Sequence, residues 1–238
     1  SRTVWAFREQ ITNLGLVEKL FDLFLTELNS LGLIVNEGKI VDASFVETPK
    51  QRNSKAVNEQ IKNGDTAELF NDNLHRKAQK DTDARWVKKN NVNYFGYKNH
   101  IKTDAKSKII TKYHVTDASV HDSNATDILL DENDKGEPFY ADSAYTGESQ
   151  EIIISEKEMI NQVCEKGYRN KPLTDEQKSS NTEKSRVRSR VEHIVGFMEQ
   201  SMNQMYIHTV GIKRATAAIG LMKLTYNMYR KIQLLAIS

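Results

Sequence analysis

The chain has 238 residues, of which 38% are hydrophobic and 28% are charged, and its formal net charge at pH 7 is +2. This size favours one core fold with appendages over two equal domains, while the 3 prolines exclude proline-rich linkers and no apolar run is long enough to cross a bilayer. The single cysteine, Cys164, excludes an internal disulfide and a CxxC zinc site, and without a signal peptide the chain is predicted to be cytoplasmic.

Apolar residues recur every three or four positions through the first part of the chain. This spacing predicts two amphipathic helices that are separated near Asn13 and Gly15, and Gly32 ends the second. We assign residues 1–35 to a helical N-terminal piece, which we interpret as a truncated DNA-binding or oligomerisation region.

The first predicted strand is the β-branched run from Lys39 to Val46, which carries Asp42 in its middle. The following residues, 49–85, are polar and rich in turn-forming residues, and therefore indicate an insertion rather than core. Two short helical patches are predicted inside the insertion, at Val57 to Lys62 and at Ala67 to Leu74.

Alternating segments after the insertion predict the rest of a sheet. Residues 94–104 and 109–119 read as an antiparallel hairpin. The remaining predicted elements are a helix at 122–130, a strand at 138–145, a helix at 149–158, a strand at 159–166, a polar loop at 171–181, and helices at 187–205 and 212–235.

These elements predict an α/β fold with a mixed sheet in the order β-β-β-α-β-α-β-α, flanked by N-terminal and C-terminal helices. We expect residues 36–206 to form the core domain and residues 207–238 to form a C-terminal helix. In such an order the first and fourth strands lie side by side.

Two aspartates stand in segments that should be buried. Asp42 lies in IVDAS and Asp142 in FYADSAY, although an unpaired buried charge costs several kcal/mol unless it is neutralised or bound. Two carboxylates on adjacent strands suit Mg²⁺, which prefers hard oxygen ligands and takes few carboxylates. The pattern therefore predicts a magnesium site shared by these two strands.

Glu192 is the candidate third acid. Arg188 and Glu192 are one helical turn apart, on the flank of the apolar stripe that would pack on the sheet. A third carboxylate would help to hold a second ion, and two ions roughly 3.5 to 4 Å apart can stabilise both oxygens of an in-line displacement. Taken alone the triple is a weak signal, because a chain with 32 acidic residues always offers some suitable set.

The positive charges are distributed unevenly. Basic tracts run from Trp86 to His114 and from Lys184 to Arg190, and the second tract contains no acid. Lysine and arginine bind DNA by displacing counterions from phosphates, whereas a single charged run is more often a solvated face. The predicted DNA contacts are Lys88, Lys89, Lys98, Arg186, Arg188 and Arg190.

At these residues the sequence resembles the DDE transposases of bacterial insertion sequences, in the group with an IVDAS-type first strand. The resemblance covers nearly the whole chain. The matching blocks are RTVWAFRE, LVEKLFDLF, IVDASFVE, KDTDARWVKKN, YFGYKNHIKTD, VTDASVHDS, YADSAYTG and RVEHIVGFM.

The resemblance implies a ribonuclease H-like fold in which Asp42, Asp142 and Glu192 are the catalytic residues and hold two Mg²⁺ or Mn²⁺ ions. It implies double-stranded DNA as the partner, at the transposon ends and the target, a homodimer assembled on that DNA, and a location at the bacterial nucleoid. Two flanking positions depart from the family pattern, because Ser185 and Glu199 stand where many relatives have Tyr and Lys. The chain also begins within the helical region that precedes the catalytic domain in relatives, so we expect a shortened chain.

Other conspicuous residues have simpler explanations. We predict structural hydrogen bonds or DNA contacts for His114, His121 and His193, core packing for Cys164, Trp86 and Tyr97, and capping of turns or helices for Asp104, Asp117 and Asp122.

The leading function is therefore metal-dependent DNA cleavage and strand transfer. One alternative is a transposase-derived DNA-binding protein, or a remnant without full transposition activity, which would keep the basic tracts. Another is a nuclease that hydrolyses DNA without joining it, which the same metal site permits. The retention of all three acids favours the enzyme over the binding protein.

Overall fold

A computed structural model describes residues 2–202 and 205–236 of the protein. The helices are α1 (Arg2–Asn13), α2 (Leu16–Ser30), α3 (Lys55–Asn63), α4 (Leu74–Gln79), α5 (Thr126–Leu129), α6 (Glu148–Glu156), α7 (Asp175–Arg188), α8 (Arg190–Ser201) and α9 (Ile212–Leu235). The strands are β1 (Lys39–Glu47), β2 (Arg85–Lys89), β3 (Val92–Asp104), β4 (Ile110–Asp117), β5 (Pro138–Tyr140) and β6 (Ile160–Asn161). Short 3₁₀ turns span Asp122–Ala125, Glu132–Asp134 and Ser143–Tyr145.

The strands form one mixed sheet with the path β2-β3-β1-β5-β6, and β4 pairs with β3. β1 runs antiparallel to β3 and parallel to β5, with Lys39 opposite Phe139 and Ile40 opposite Tyr140. The predicted contact between the first strand and the strand that precedes Asp142 is therefore confirmed.

Helices cover both faces of the sheet. On one face, α2, α8 and α9 bury residues such as Phe21, Val191 and Ile219 against Ile40 and Val46 of β1. On the other face, α5 and α6 pack over a second cluster, formed by Val41, Ala125, Leu129, Phe139, Ala141 and Ile154 among others. Alternate residues of β1 thus enter opposite cores, as expected for a strand buried on both sides.

The two N-terminal helices are confirmed. α1 ends at Asn13, Gly15 adopts a left-handed backbone with φ of 61°, and α2 begins at Leu16. α2 packs along α9, so the two ends of the chain meet on one side of the sheet. The predicted division into 1–35, 36–206 and 207–238 stays a prediction, and within it Ser1, residues 203–204 and residues 237–238 lie outside the described residues.

One strand was missed by the sequence analysis. β2 forms a hairpin with β3, and the tight turn between them consists of Asn90 and Asn91, with φ values of 50° and 63°. Two consecutive positive φ angles are typical of a type I′ turn, in which asparagine is favoured. The charged composition of β2 hid the strand, whereas the Asn-Asn pair was the signal that could have revealed it.

Several predicted boundaries were wrong. The expected helix at Ala67 to Leu74 is a series of turns, and α4 begins only at Leu74 because the Asn73 side chain caps it. The expected loop at 171–181 is largely helix α7. Thr174 and Gln177 cap that helix reciprocally, which is a sequence signature that was overlooked. The long helix predicted across 187–205 is interrupted at Ser189, between α7 and α8.

The strands predicted at 138–145 and 159–166 are shorter than expected. β5 ends at Tyr140, and the polypeptide then turns into the 3₁₀ segment Ser143–Tyr145. Asp142 consequently lies just beyond a strand and not inside one. None of the helices in the described part of the chain is long and apolar enough to span a membrane.

Candidate active site

Asp42 lies in the centre of β1, opposite Ile101 of β3. By strand alternation its side chain shares a face with Ile40 and Val46, which is the face covered by α8. The carboxylate is partly buried, and its Oδ1 accepts a 2.9 Å hydrogen bond from the Ala43 backbone N–H. The sequence places this acid in a buried strand because the surrounding residues are small or apolar.

Asp142 lies two residues past the end of β5, the parallel strand that pairs with β1. The last pair of that ladder joins Ile40 to Tyr140, two residues before each aspartate, and the charge of Asp142 acts on Asp42. The Asp142 carboxylate caps the following turn and accepts a 2.8 Å hydrogen bond from the Ala144 backbone N–H. This cap fixes the carboxylate just past the carboxyl end of β5.

Glu192 is exposed near the start of α8. Its Oε1 accepts a 2.8 Å hydrogen bond from Nη2 of Arg188, which is one turn earlier at the end of α7. The other terminal nitrogen of Arg188, Nη1, lies 4.0 Å from Oδ2 of Asp42. One guanidinium therefore links the predicted third acid to the predicted first acid.

Burial is the main influence on the pKa of Asp42. Burial raises the pKa of Asp42 to about 6, against the opposing effects of the Ala43 N–H and Arg188, and the charges of Asp142 and Asp122 raise it further. Burial also raises the pKa of Tyr145 well above its usual value, and Asp42, Asp122 and Asp142 add to that rise. The three aspartates thus share one region around a buried phenol.

The donor chemistry of this region fits a hard divalent cation. Asp42 on β1 and Asp142 just past β5 are close enough for their charges to interact, and burial disfavours the charged form of Asp42 unless a cation compensates it. Among residues 2–202 and 205–236, no group of three or more His, Cys, Asp or Glu is gathered closely enough to hold a metal ion. Convergence of Glu192 on the two aspartates therefore stays a prediction.

The predicted DNA contacts fall into two groups. Lys88, Lys89 and Arg186 have exposed side chains on β2 and α7. The other three are engaged within the protein: Lys98 is buried in an ion pair with Asp122, Arg188 binds Glu192, and Nη1 of Arg190 donates a 2.9 Å hydrogen bond to the Ala105 carbonyl. The placement of Lys98 and Arg190 therefore gives no support to phosphate contacts by these two residues.

Most of the simpler explanations agree with the structure. Tyr97 is buried and donates a hydrogen bond to Asp81, and Asp104 and Asp117 accept hydrogen bonds within their turns. Trp86 packs on Phe95 but stays 42% exposed, so it is only partly a core residue.

The remaining predicted positions are placed as follows. Buried Cys164 lies 3.6 Å from the hydroxyl of Ser185, which occupies the position of the family Tyr, and Glu199 is exposed on α8. His121 caps the turn Asp122–Ala125, His114 is half-buried, and His193 is exposed.

Asp122 is the residue that the sequence analysis misjudged. It was expected to cap a helix, but His121 caps that turn, and Asp122 instead forms a 2.8 Å ion pair with Lys98. Its charge acts on both Asp42 and Tyr145. The only sequence signal for this role was its place within the family-like block VTDASVHDS.

Comparisons with known proteins identify the family of the chain. The family described as "Transposase DDE domain" matches residues 35–228. A curated relative, the transposase for insertion sequence element IS1106 of Neisseria meningitidis serogroup B, is 28% identical over 229 residues, covering 94% of this chain and 76% of the relative. No solved structure matches the chain. Because the family match spans most of the sequence and includes all three predicted acids, the chain belongs to the transposase DDE domain family.

Proposed function

We propose that the protein cleaves DNA at the ends of an insertion sequence and transfers the strands to a target, using Asp42, Asp142 and Glu192. The observation that carries the proposal is the placement of Asp42 on β1 and of Asp142 just past the end of β5, the parallel strand that pairs with β1, so that the charge of Asp142 acts on Asp42. Membership of the transposase DDE domain family supports it. The mixed sheet with helices on both faces is compatible with the ribonuclease H-like fold that we propose for residues 36–206.

Asp42 and Asp142 would hold the metal, and Glu192 would complete the ligand set from α8. Mg²⁺ or Mn²⁺, bound as a pair, would supply stabilisation of the attacking and leaving oxygens of an in-line displacement at phosphorus. The raised pKa of Asp42 has a consequence for this role. Below about pH 6 the carboxyl is protonated and is a poor ligand, so binding of the ions should weaken in acid.

Arg188 has two tasks in this proposal. In the free protein it compensates Asp42 and Glu192, which would otherwise repel each other and the phosphate backbone. When DNA binds, the same guanidinium is close enough to the acids to bind two oxygens of one phosphate in a bidentate manner. Release of Glu192 by Arg188 would then free this carboxylate to join the two aspartates.

The partners follow from the same reasoning. Double-stranded DNA would be bound through Lys88, Lys89 and Arg186, and we propose that two copies assemble on the paired transposon ends. A nuclease without strand transfer uses the same site, and a DNA-binding descendant would need only the basic surface.

A cleavage and joining assay separates these functions. The probe is a labelled duplex that carries the terminal repeat flanking the gene, incubated with a plasmid target and with Mg²⁺ or Mn²⁺. Cutting and joining by the wild type, lost in Asp42→Asn, Asp142→Asn and Glu192→Gln, would support the proposal. Glu199→Gln on the same helix is the matched control and should stay active. Cutting without joining would indicate the nuclease, and binding without cutting would indicate the DNA-binding descendant.

A further inference from the structure

Two buried lysines of β3 anchor the segment that connects β4 to β5. Lys98 and Lys102 are four residues apart and therefore lie on one face of the strand. Lys98 pairs with Asp122 at 2.8 Å, and Lys102 pairs with Asp134 at 2.6 Å. The first ion pair holds the beginning of the segment around α5, and the second holds its end.

The first of these ion pairs contains Asp122, whose charge acts on Asp42. Lys98 also donates a hydrogen bond to the Val120 carbonyl, so the ammonium holds the backbone before the turn as well as the side chain of Asp122. The turn Asp122–Ala125 packs against the turn Ser143–Tyr145. That second turn begins with Asp142 as its cap, so a continuous set of contacts joins Lys98 to Asp142.

Tyr145 lies where these contacts meet. Its side chain is 1% exposed, and among the described residues its hydroxyl has no hydrogen-bond partner. A buried hydroxyl without a partner is costly, and such groups require a specific explanation. The carboxylates of Asp42, Asp122 and Asp142 are all close enough to disfavour its ionisation. The phenol therefore stays neutral, and its hydroxyl, unpaired within the described residues, lies in the turn that begins at Asp142.

We propose that Lys98, Asp122 and Tyr145 are positioning residues for the Asp42–Asp142 pair. The Lys98–Asp122 ion pair fixes the first turn, which packs against the second turn and so holds Asp142 at the start of that turn and Tyr145 at its end. This inference rests on the proposed function, because it assigns the three residues to the same metal site. Groups that orient ligands in this way typically change metal affinity by about 10- to 100-fold when they are altered.

The test measures Mn²⁺ affinity of the full chain without DNA, from the signal of free Mn²⁺ in electron paramagnetic resonance. Asp122→Asn keeps the shape but removes the charge that binds Lys98, and we expect it to weaken Mn²⁺ binding about tenfold. Asp134→Asn is the control, because it breaks a more deeply buried ion pair of the same strand, whose acid lies at the other end of the connecting segment. It should lower the melting temperature without changing Mn²⁺ affinity.

Two further variants keep the test decisive if Asp122→Asn fails to fold. Tyr145→Phe removes only a hydroxyl that has no partner, so the fold should survive while Mn²⁺ affinity falls several-fold. Lys98→Arg retains the charge and should retain most of the affinity that Lys98→Met loses. Unchanged Mn²⁺ affinity in Tyr145→Phe and Lys98→Met would overturn the inference, and so would equal losses in Asp122→Asn and Asp134→Asn.

The reference variant Asp42→Asn distinguishes this failure from failure of the proposed function. If Asp42→Asn abolishes Mn²⁺ binding while the positioning variants leave it unchanged, the metal site stands and only the inference fails. If Asp42→Asn leaves Mn²⁺ binding unchanged, the proposed site itself is wrong, and the inference falls with it.

Discussion

At the scale of single residues, the informative groups are those that carry charge where burial opposes it. Asp42 and Lys223 represent two such cases. Asp42 has an acidic neighbour and an arginine nearby, whereas Lys223 is fully buried in α9 and has no hydrogen-bond partner among the described residues. Each makes the stability of the protein depend on pH, in windows that can be derived from the pKa in the folded state.

Asp42→Asn should stabilise the metal-free protein at neutral pH. The folded pKa of about 6 exceeds the ordinary value of 3.8, so the folded state binds the extra proton and stability falls as pH rises through this window. Removing the charge should raise the free energy of unfolding at pH 7.5 by roughly 1 to 3 kcal/mol. DNA binding should be retained or tightened, and metal-dependent cleavage should be lost.

Thermal melting at pH 4 and pH 7.5, together with DNA affinity, checks this prediction. The stabilisation should be present at pH 7.5 and nearly absent at pH 4. A variant that melts several degrees earlier yet still cleaves DNA would show that Asp42 is structural.

Lys223→Met should remove a different dependence on pH. Burial lowers the pKa of Lys223 to about 7 from its ordinary 10.5, so the unfolded state binds more protons between these values and stability rises with pH across this window. The ammonium lies 5.8 Å from the centroid of the Tyr113 ring, and this cation–π contact offers modest compensation. At pH 6 the variant should be more stable than the wild type by on the order of 2 to 4 kcal/mol.

Urea unfolding at pH 6 and pH 9.5 measures this effect. The advantage of Lys223→Met should shrink at the higher pH, while Lys213→Met, an exposed position on the same helix, should show no such change. If the free energy of unfolding depends on pH in the same way in both variants, Lys223 has a hydrogen-bond acceptor in solution.

At the scale of elements, close packing of β1 against β3 decides which residues the site strands tolerate. Gly96 lies opposite Glu47 at the end of the β1–β3 ladder and has φ of +150°. A Cβ atom there would stand 2.2 Å from the Val46 carbonyl oxygen, so the backbone of one strand would have to move. Gly196 in α8, in contrast, has open space around the corresponding position.

The two glycines therefore make a matched pair of substitutions. Gly96→Ala should destabilise the protein by roughly 2 kcal/mol or more, because it combines strain in the backbone with a steric conflict. Gly196→Ala should stabilise it by up to about 1 kcal/mol, because alanine is the better helix former. Urea unfolding of both variants gives the comparison. If Gly96→Ala leaves the free energy of unfolding unchanged, β1 and β3 are packed less tightly at this position than the structure indicates.

At the scale of the whole molecule, residues distant in sequence fix how the layers meet. Asp81, near the end of the insertion, accepts hydrogen bonds from the Tyr97 hydroxyl at 2.8 Å and from the Gly211 N–H at 3.2 Å. Asp83 accepts a 2.9 Å hydrogen bond from the Ile212 N–H. The insertion therefore supplies the acids that cap the N-terminus of α9, a helix about 130 residues later in the sequence.

The exposed basic residues predict how DNA binding responds to salt. Replacing Lys88, Lys89 and Arg186 with alanine should reduce the slope of log affinity against log salt by about 1 per charge. Arg190→Ala should lower the melting temperature but leave the slope unchanged, because its guanidinium already binds the Ala105 carbonyl. The measurement is the affinity for a duplex at three or more salt concentrations. If the slope changes only in Arg190→Ala, the DNA is bound by a surface other than the one formed by Lys88, Lys89 and Arg186.

The sequence by itself determined the segments with strong periodicity and the chemistry that they carry. The two N-terminal helices, β1 and α9 were predictable because a regular apolar stripe reports which face is buried. Asp42 and Asp142 were predictable as neighbours because an acid in an apolar segment is conspicuous and strand order constrains adjacency. β2 and α7 were missed because their composition is charged. The signals that indicate them are the turn at Asn90 and the cap at Thr174.

Only the tertiary structure decided which charges meet. Arg188 and Arg190 are two residues apart on similar sequence patterns, yet one binds Glu192 and the other a backbone carbonyl, because α7 ends and α8 begins between them. Likewise, Asp122 meets Lys98, and Lys223 meets no acceptor in the described structure. Periodicity records whether a position is buried, but the partner of a buried charge depends on strand register and on the packing of helices that lie far apart in sequence.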